Sequence, residues 1–188
     1  LPLPKEQRLR MAKLPAAHAW VYANQLDRVI LAADRPRFGI IVSGQAVQDV
    51  FEALKALGID AATANALGLV IYKVAMPWPL EPRRLREVCG GLEKILVLEH
   101  KRPLMEGQIK TALFNLGDRQ RPLIIGKSDE HGRAFLSQTG TISIPEMARA
   151  LARFLPAGWD RHKADAYFAM TEGNGHAAGG SRQVPLRS

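Results

Sequence analysis

Four apolar runs of strand length recur between residues 38 and 126, and most of the chain between them has helical spacing. The runs are FGIIVS (38–43), GLVIYKV (68–74), KILVLE (94–99) and PLIIG (122–126). They are apolar without strict alternation, which is typical of strands buried on both faces of a parallel sheet. Right-handed crossovers between such strands place helices on both faces. The sequence therefore predicts an α/β fold, a three-layer αβα domain around a mainly parallel sheet of four to five strands.

The segments between the strands predict the helices. Residues 45–58 place a set of apolar side chains on one face and end at a glycine suited to a C-cap, the set being Val47, Val50, Phe51, Leu54 and Leu57. Pro82 and Pro103 each stand at a favoured first position of a following helix. Residues 127–142 are polar and predict a long loop. SIPE (143–146) then predicts a capping box at the start of the last helix.

Three regions follow from these patterns. Residues 1–37 are predicted to form a helical connector, with a helix over 5–26 that Pro15 interrupts and a short edge strand, RVIL, at 28–31. Residues 38–156 are the αβα domain. Residues 157–188 are predicted to be a tail or linker, partly disordered, because GNGHAAGGSRQVPLRS (173–188) has linker composition.

Charge and composition exclude several classes of protein. The net charge is +8, but residues 1–37 supply seven of the Lys and Arg residues against three acidic ones, so the domain itself is nearly balanced. No basic stripe carries exposed aromatic residues, so we expect no nucleic-acid partner. No apolar run approaches the ~18 residues that cross a membrane, and no signal peptide is recognisable. With one cysteine, these features favour a cytoplasmic location without membrane attachment.

Function is expected where the strands end, because ligands and partners of such sheets meet the carboxyl ends of the strands. Ser43 and Gly44 precede a helix and form a candidate anion site; the alternative is a plain turn with Ser43 as the helix cap. His100 is flanked by Glu99, Lys101 and Arg102, so it is either a general base or an ordinary hydrogen-bonded histidine. The patterns indicate no complete catalytic, cofactor-binding or metal-binding set of residues.

Several long stretches resemble a known family. They are FGIIVSGQAVQDVFEALKALGID (38–60), the segment 68–115 and RPLIIGKSDE (121–130), and their most specific parts are YKVAMPWPLEP (72–82) and ILVLEHKRPLMEGQIK (95–110). They resemble the second domain of the long 2-oxoacid:ferredoxin oxidoreductases of the indolepyruvate type, which has the fold of the transketolase C-terminal domain. The residues RLRMAKLPAAHAWVYANQLDRVIL (8–31) look like the helical connector of those enzymes. The resemblance also suggests that 28–31 is an antiparallel edge strand.

The resemblance implies an enzyme that oxidatively decarboxylates an aryl 2-oxo acid, such as indolepyruvate, to an acyl-CoA. In that family thiamine diphosphate with Mg²⁺ carries the carbon chemistry, and iron–sulfur clusters pass electrons to ferredoxin. Their motifs, a Gly-Asp-Gly with a distant Asn and a C-x-x-C-x-x-C run, are absent from this sequence. The chain is therefore expected to hold none of these cofactors, to be inactive alone, and to have other domains or subunits of the same enzyme as its partners.

The proline-rich segment after the second apolar run is then a candidate interface. In the family interpretation Trp78 and Pro79, together with Glu99, His100 and Arg102, face neighbouring domains, with Trp78 as the anchor. The alternative for Trp78 is that it covers the core of its own domain. Two other identities remain open at this level: the C-terminal domain of another thiamine-dependent enzyme, and a free-standing anion-binding α/β module.

Overall fold

The sheet contains five strands. The computed structural model describes residues 4–177, and the side chains of residues 4–172. In chain order the strands are β1 (Arg28–Leu31), β2 (Phe38–Ser43), β3 (Leu69–Val74), β4 (Lys94–Leu98) and β5 (Leu123–Ile125), and their spatial order is β1-β3-β2-β4-β5. Strands β2 to β5 are parallel, and β1 is antiparallel to β3. The predicted four parallel strands and antiparallel edge strand are confirmed.

Helices connect and follow the strands. They are α1 (Lys5–Arg8), a π-helical stretch (Leu9–Lys13), α2 (Leu14–Ala23), α3 (Ala46–Ala56), α4 (Ala61–Leu67), α5 (Pro82–Cys89), α6 (Met105–Leu113), α7 (Ile144–Phe154) and α8 (His162–Ala177). The predicted capping box is present at α7: the Ser143 hydroxyl accepts from the Glu146 amide, and the Glu146 carboxylate accepts from the Ser143 amide. The loop between β5 and α7 lies where the polar segment 127–142 predicted it.

The helices form one layer on each face of the sheet. Helices α3, α4, α7 and α8 pack on Ile40, Leu69 and Leu96. Helices α5 and α6 pack on the other face, against Ile41 and Val97. Neighbours such as Ile40 and Ile41 point to opposite faces because side chains alternate along a strand. The predicted three-layer αβα architecture is therefore confirmed.

Three local predictions were wrong. Helix α4 was not expected, although Asp60 accepts a hydrogen bond from the Thr63 amide at its N-cap and Gly68 ends it with φ +72°. The N-terminal helix is not broken at Pro15, because the helical backbone continues from the π-helical stretch Leu9–Lys13 directly into α2, which contains that proline. Phe51, predicted to share the apolar face of α3 with Val50 and Leu54, is 40% exposed, whereas those two residues are buried.

Residues 157–177 are not a linker. Trp159 and Ala164 are buried in the same core cluster as Phe154 and Leu155, and α8 contacts both α3 and α7. The sequence prediction missed this helix because the glycine-rich composition of residues 173–188 was taken to hold for the whole segment 157–188. The predicted disorder of 178–188 concerns residues outside those that the structure describes.

Strand β5 is a short edge strand. The Leu123 amide donates to the carbonyl of Glu93, which places that amide on the inner side of the strand, towards β4. Because successive residues of a strand direct their backbone groups to opposite sides, Pro122 and Ile124 face the outer side. The sheet therefore ends with a proline on its open edge.

The segment that joins β3 to α5, residues 75–81, is called the corner below. Asp27 precedes β1, and the antiparallel pairing of Arg28 with Lys73 brings it beside the end of β3. Its side chain is 2% exposed, and Oδ1 accepts from the amides of Ala75 at 2.7 Å and Met76 at 3.4 Å. The connector thus supplies the acceptor for the first amides of the corner.

Two further side chains hold the remainder of the corner. Gln108 of α6 accepts from the Leu80 amide at 2.9 Å and donates to the carbonyls of Pro77, at 2.9 Å, and Leu104, at 2.8 Å. Glu81 is the N-cap of α5 and accepts from the amides of residues 83 and 84. The corner therefore has defined partners at its start, middle and end, although it contains no regular secondary structure.

Removing the Asp27 carboxylate should destabilise the chain. Asp27→Ala is expected to lower the free energy of unfolding by roughly 1–3 kcal/mol, because the amides of Ala75 and Met76 lose the acceptor that the buried Asp27 supplies. Asp27→Asn retains an acceptor oxygen and should cost less than Asp27→Ala. Urea unfolding at neutral pH measures both variants, and equal losses would show that the hydrogen bond contributes nothing.

The same carboxyl group should make stability depend on pH. Burial raises the pKa of Asp27 above its ordinary value of 3.8, and the hydrogen bonds from Ala75 and Met76 oppose this shift. A raised pKa in the folded chain gives stability that is present below the unfolded pKa and is lost as pH rises through the folded pKa. The free energy of unfolding of Asp27→Asn should therefore improve relative to wild type from about pH 4 towards neutral. A pH-independent difference in urea unfolding would contradict this.

Candidate functional site

The loops that follow β2, β3 and β4 meet at the carboxyl edge of the sheet. They enclose an open cleft of about 510 Å³, which the turn at Ser43–Gly44, Pro77 of the corner and the segment from Glu99 to Met105 line. The structure thus brings together the two candidate groups predicted from the sequence, the anion turn and the residues after β4. On the other side of the corner lies a groove of about 350 Å³ between α5 and α6.

Trp78 projects from the corner into solvent. Its side chain is 57% exposed, so it does not cover the core of its own domain. The peptide bond to Pro79 is cis. Leu104, which begins α6 and lines the cleft, is 52% exposed. Gln108 hydrogen-bonds to the backbone of both the corner and Leu104, so a single amide side chain connects the two segments that carry these exposed apolar residues.

Glu99 has a structural role at the start of α6. It is 8% exposed, and its carboxylate accepts from the amides of Leu104, Met105 and Glu106 at 2.8–3.0 Å. A helix N-terminus has unsatisfied amides and a positive dipole end, and both favour a carboxylate there. Glu99 therefore spends most of its acceptor capacity on the chain's own backbone, and its predicted place in an interface stays a prediction.

A buried lysine joins the loops on the β5 side of the cleft. Lys127 is 3% exposed, and Nζ donates to the carbonyls of Glu99 at 2.6 Å and Ser137 at 2.8 Å. Its amide donates to Glu106, which also accepts from Lys110 Nζ at 2.5 Å. Burial lowers the pKa of Lys127, while the carboxylates of Glu99 and Glu106 oppose this effect. The network fixes the long polar loop to the end of β4.

His100 makes one hydrogen bond through its ring and faces a carboxylate with its other nitrogen. Nδ1 accepts from the amide of Ile142 at 3.1 Å, and Nε2 lies 3.6 Å from a carboxylate oxygen of Asp49 in α3. The acceptor role of Nδ1 places the proton on Nε2, facing Asp49. Of the two interpretations of His100, the geometry supports the hydrogen-bonded histidine, since neither nitrogen is available as a general base.

The predicted anion turn is open but is not capped as expected. Gln45 is the N-cap residue of α3 and forms no side-chain capping bond, so the interpretation of Ser43 as the cap was wrong. Gly44 has φ +60°, and a Cβ at this residue would meet nothing within 4 Å. The turn therefore leaves space at the start of α3, and its role as an anion site stays a prediction.

Arg102 and Lys101 provide the free charge at this edge. Both are exposed, and within the described residues neither lies within ion-pair distance of a carboxylate. Lys101 has φ +58°, and its amide donates to the carbonyl of Gly140. The loop after β4 is thus anchored through its backbone while its two basic side chains point outwards.

The described residues provide no metal centre and no reactive thiol. Among residues 4–172, no group of three or more His, Cys, Asp or Glu side chains is arranged to hold a metal ion. Cys89 is 1% exposed in the core, and burial raises the pKa of its thiol to about 12, which makes it inert. Across the part of the chain that the structure describes, no helix has both the length and the apolar character of a membrane span.

Sequence reasoning missed the side chains that hold this edge together. Asp27, Gln108 and Lys127 were not singled out, because their partners are backbone groups far along the chain, at separations of 48, 31 and 28 residues. For Gln108 the sequence offers one signal, which is that a polar residue stands on the inner side of a predicted helix. Hydrogen bonds to backbone groups leave no pattern in the side chains of the partner segment.

Several curated proteins are similar to this chain. The protein named indolepyruvate oxidoreductase subunit IorA of Thermococcus kodakarensis is 29% identical over 119 residues, which are 63% of this chain and 16% of that protein. Its namesake in Methanothermobacter marburgensis is 30% identical over 86 residues, 46% of this chain and 13% of that protein. The chain therefore matches only a small part of the length of these relatives.

Among solved structures, one titled "Split gene transketolase, inactive beta4 tetramer" shares 18% identity with a TM-score of 0.45, over 69% of this chain and 41% of that chain. A likeness at this level supports no conclusion of its own. The family model described as "Indolepyruvate oxidoreductase domain" matches residues 28–171, which run from β1 into α8 and include the corner and the whole carboxyl edge. This chain belongs to the indolepyruvate oxidoreductase domain family.

Proposed function

We propose that this chain is a non-catalytic structural and interface domain of a thiamine-diphosphate-dependent 2-oxoacid:ferredoxin oxidoreductase of the indolepyruvate type. The complete enzyme would oxidatively decarboxylate an aryl 2-oxo acid to an acyl-CoA in the cytoplasm. Family membership and relatives named as indolepyruvate oxidoreductase subunits support the class of enzyme. Because the chain matches 16% or less of those relatives, catalysis by the whole protein belongs to the proposal.

The observation that carries the non-catalytic role is the engagement of the ionisable groups at the carboxyl edge. Glu99 caps α6, Glu106 binds Lys110 and the amide of Lys127, and both nitrogens of His100 face partners. Catalysis needs an acid, a base or a nucleophile that is free to exchange a proton or attack a substrate. These groups instead stabilise loops.

The residues present do not fit the cofactors of the complete enzyme. An iron–sulfur cluster needs several cysteine thiolates, and the single cysteine, Cys89, is buried with a raised pKa. The diphosphate of thiamine diphosphate is held through Mg²⁺ in the proposed family, and residues 4–172 contain no candidate group of metal ligands. We therefore assign thiamine diphosphate, Mg²⁺ and iron–sulfur clusters to other domains or subunits, and ferredoxin is an indirect partner.

The corner supports the interface role. Asp27, Gln108 and Glu81 fix its backbone, so a docking partner would not have to order it. A rigid surface loses less conformational entropy on association than a flexible one. Trp78 is the kind of residue that dominates binding energy in protein interfaces, and it is exposed on this rigid segment.

The isolated chain should not bind thiamine diphosphate. Isothermal titration calorimetry with thiamine diphosphate and Mg²⁺ is expected to show no binding tighter than about 10 μM, since residues 4–172 contain no candidate group of metal ligands. Addition of indolepyruvate and CoA should reduce no viologen dye. Binding tighter than that limit would place the thiamine site in this chain and contradict the proposal.

Truncation of Trp78 should separate an interface tryptophan from a core one. In the isolated chain Trp78→Ala is expected to change the free energy of unfolding by about 0.5 kcal/mol or less, as for other exposed side chains. Trp159 is 7% exposed and offers a matched control, for which alanine should cost roughly 3–5 kcal/mol. Urea unfolding measures both variants, and a loss above about 2 kcal/mol for Trp78→Ala would place Trp78 in the core.

The same substitution should weaken the assembled enzyme. Analytical ultracentrifugation and limited proteolysis of the complete oxidoreductase are expected to show weaker domain or subunit association for Trp78→Ala. Phe114→Ala is the control, because Phe114 is 67% exposed but follows α6 at the opposite end from the corner. If both variants assemble like wild type, the interface role of the corner is wrong.

A further inference from the structure

The carboxyl edge carries two exposed apolar residues on segments that one side chain joins. Trp78 and Leu104 are 57% and 52% exposed, and Gln108 hydrogen-bonds to the backbone of both segments that carry them. The cleft of about 510 Å³ lies on one side, and the groove of about 350 Å³ between α5 and α6 lies on the other. We call Trp78, Leu104 and the linings of these two concavities the docking ridge.

The exposed charges on the docking ridge are basic. Lys101 and Arg102 line the cleft, and Arg86 lines the groove. Within the described residues none of the three has a carboxylate within ion-pair distance, and Arg86 uses Nε to donate to the carbonyl of Ala112. Three cations without counter-charges therefore surround two apolar anchors.

The docking ridge has one acidic lining residue, and it is largely engaged by the chain's own backbone. Glu99 is the acidic residue that lines the cleft, and the groove has no acidic lining residue. Glu99 is buried and already accepts from three amides. A partner that brings lysines or arginines would meet side chains of the same charge here, whereas one that brings carboxylates would meet three cations without counter-charges.

We propose that the docking ridge binds an acidic protein segment that also carries apolar side chains, supplied by a neighbouring domain of the same enzyme. This rests on the proposed function, since it identifies the chemistry of the partner at the interface proposed there. The matched part of the relatives is 16% of their length or less, so most of such an enzyme lies outside this chain. Apolar side chains would cover Trp78 and Leu104, and carboxylates would pair with the basic rim.

A protein partner fits these residues better than a nucleic acid. Single-stranded nucleic acids bind to basic grooves through several stacking aromatic side chains. The docking ridge has one exposed aromatic residue, Trp78, and its second anchor is the aliphatic Leu104. Apolar anchors with a charged rim are the usual anatomy of a protein interface.

The test uses the 188-residue chain and two synthetic peptides. One peptide alternates glutamate and leucine, and the other has lysine in place of every glutamate. Two-dimensional ¹H–¹⁵N NMR follows the indole N–H signals of the three tryptophans, and Trp78→Phe identifies the signal of Trp78 by its loss. The Trp78 signal should shift with the acidic peptide and not with the basic one, while the signal of buried Trp159 stays in place.

Charge variants test the rim. Lys101→Asn with Arg102→Glu should weaken binding of the acidic peptide by about tenfold, since each exposed ion pair contributes a severalfold effect. Asparagine is chosen at 101 because it tolerates positive φ. Lys55→Asn with Arg119→Glu is the control: it makes the same change in net charge at exposed residues outside the docking ridge and should leave binding unchanged.

Three results would overturn the proposal: no shift of the Trp78 signal, equal shifts with both peptides, or tighter binding of an oligothymidylate than of the acidic peptide. An unchanged Trp159 signal in the rim variant shows that it is folded.

Failure of this proposal and failure of the proposed function give different results. If neither peptide binds but Trp78→Ala still weakens the assembled enzyme, only the acidic chemistry of the partner is wrong. If the acidic peptide binds but Trp78→Ala leaves the association of the complete oxidoreductase unchanged, the interface role of the corner in that enzyme is wrong.

Discussion

Backbone amides in irregular loops lack the acceptors that regular secondary structure provides, and at the carboxyl edge of this sheet side chains supply them. Asp27 serves the start of the corner, Gln108 its middle, Glu81 the start of α5, and Glu99 the start of α6. An unsatisfied buried amide costs about 1–3 kcal/mol, so these few acceptors decide whether the loops can adopt one conformation. The rigid presentation of Trp78 and Leu104 depends on them.

The same arrangement explains why this edge has little capacity for chemistry. General acid–base catalysis needs a side chain that is free to exchange a proton with a substrate, and a carboxylate or histidine that already accepts from loop amides gives up those hydrogen bonds when it does so. In many α/β proteins the residues at this edge act on ligands. In this chain Glu99, Glu106, Lys127 and His100 bind the chain's own loops instead. Side chains that hold the loops of the carboxyl edge in place are consistent with an edge that serves as an interface.

The sequence predicted the periodic parts of the fold well. Apolar runs located all four parallel strands to within one residue, and SIPE located the start of α7, because burial and capping each leave a local pattern. Helix α4 was missed because it is only seven residues long and carries little periodicity. Helix α8 was missed because linker composition at its end outweighed the apolar residues Tyr167 and Phe168, which pack against the core. Short or compositionally mixed elements depend on tertiary packing, which a local pattern does not record.

The sequence predicted where the candidate site lies, but it did not predict the hydrogen bonds that hold the site together. The exposure of Trp78 agrees with the interface interpretation of the proline-rich segment, and the loops after β2, β3 and β4 do meet at one edge. The roles of Glu99 and His100 were not predictable, since each depends on a partner brought close by topology: the start of α6 for Glu99, and Asp49 and the amide of Ile142 for His100. Sequence spacing gives the place of such residues and leaves their hydrogen bonds undetermined.

The proline before β5 has a consequence for how this domain exists beside others. An open strand edge invites pairing with a strand of another molecule, which leads to aggregation. Pro122 has no amide to donate on the outer side, and the amide of Gly126 already donates to the carbonyl of Ser128, so Ile124 alone offers a donor along residues 122–126. One hydrogen-bond donor is too few to template a further strand. The sheet is therefore closed to extension at β5. A neighbouring domain or a second molecule cannot add a strand there, so edge-to-edge polymerisation through β5 is prevented.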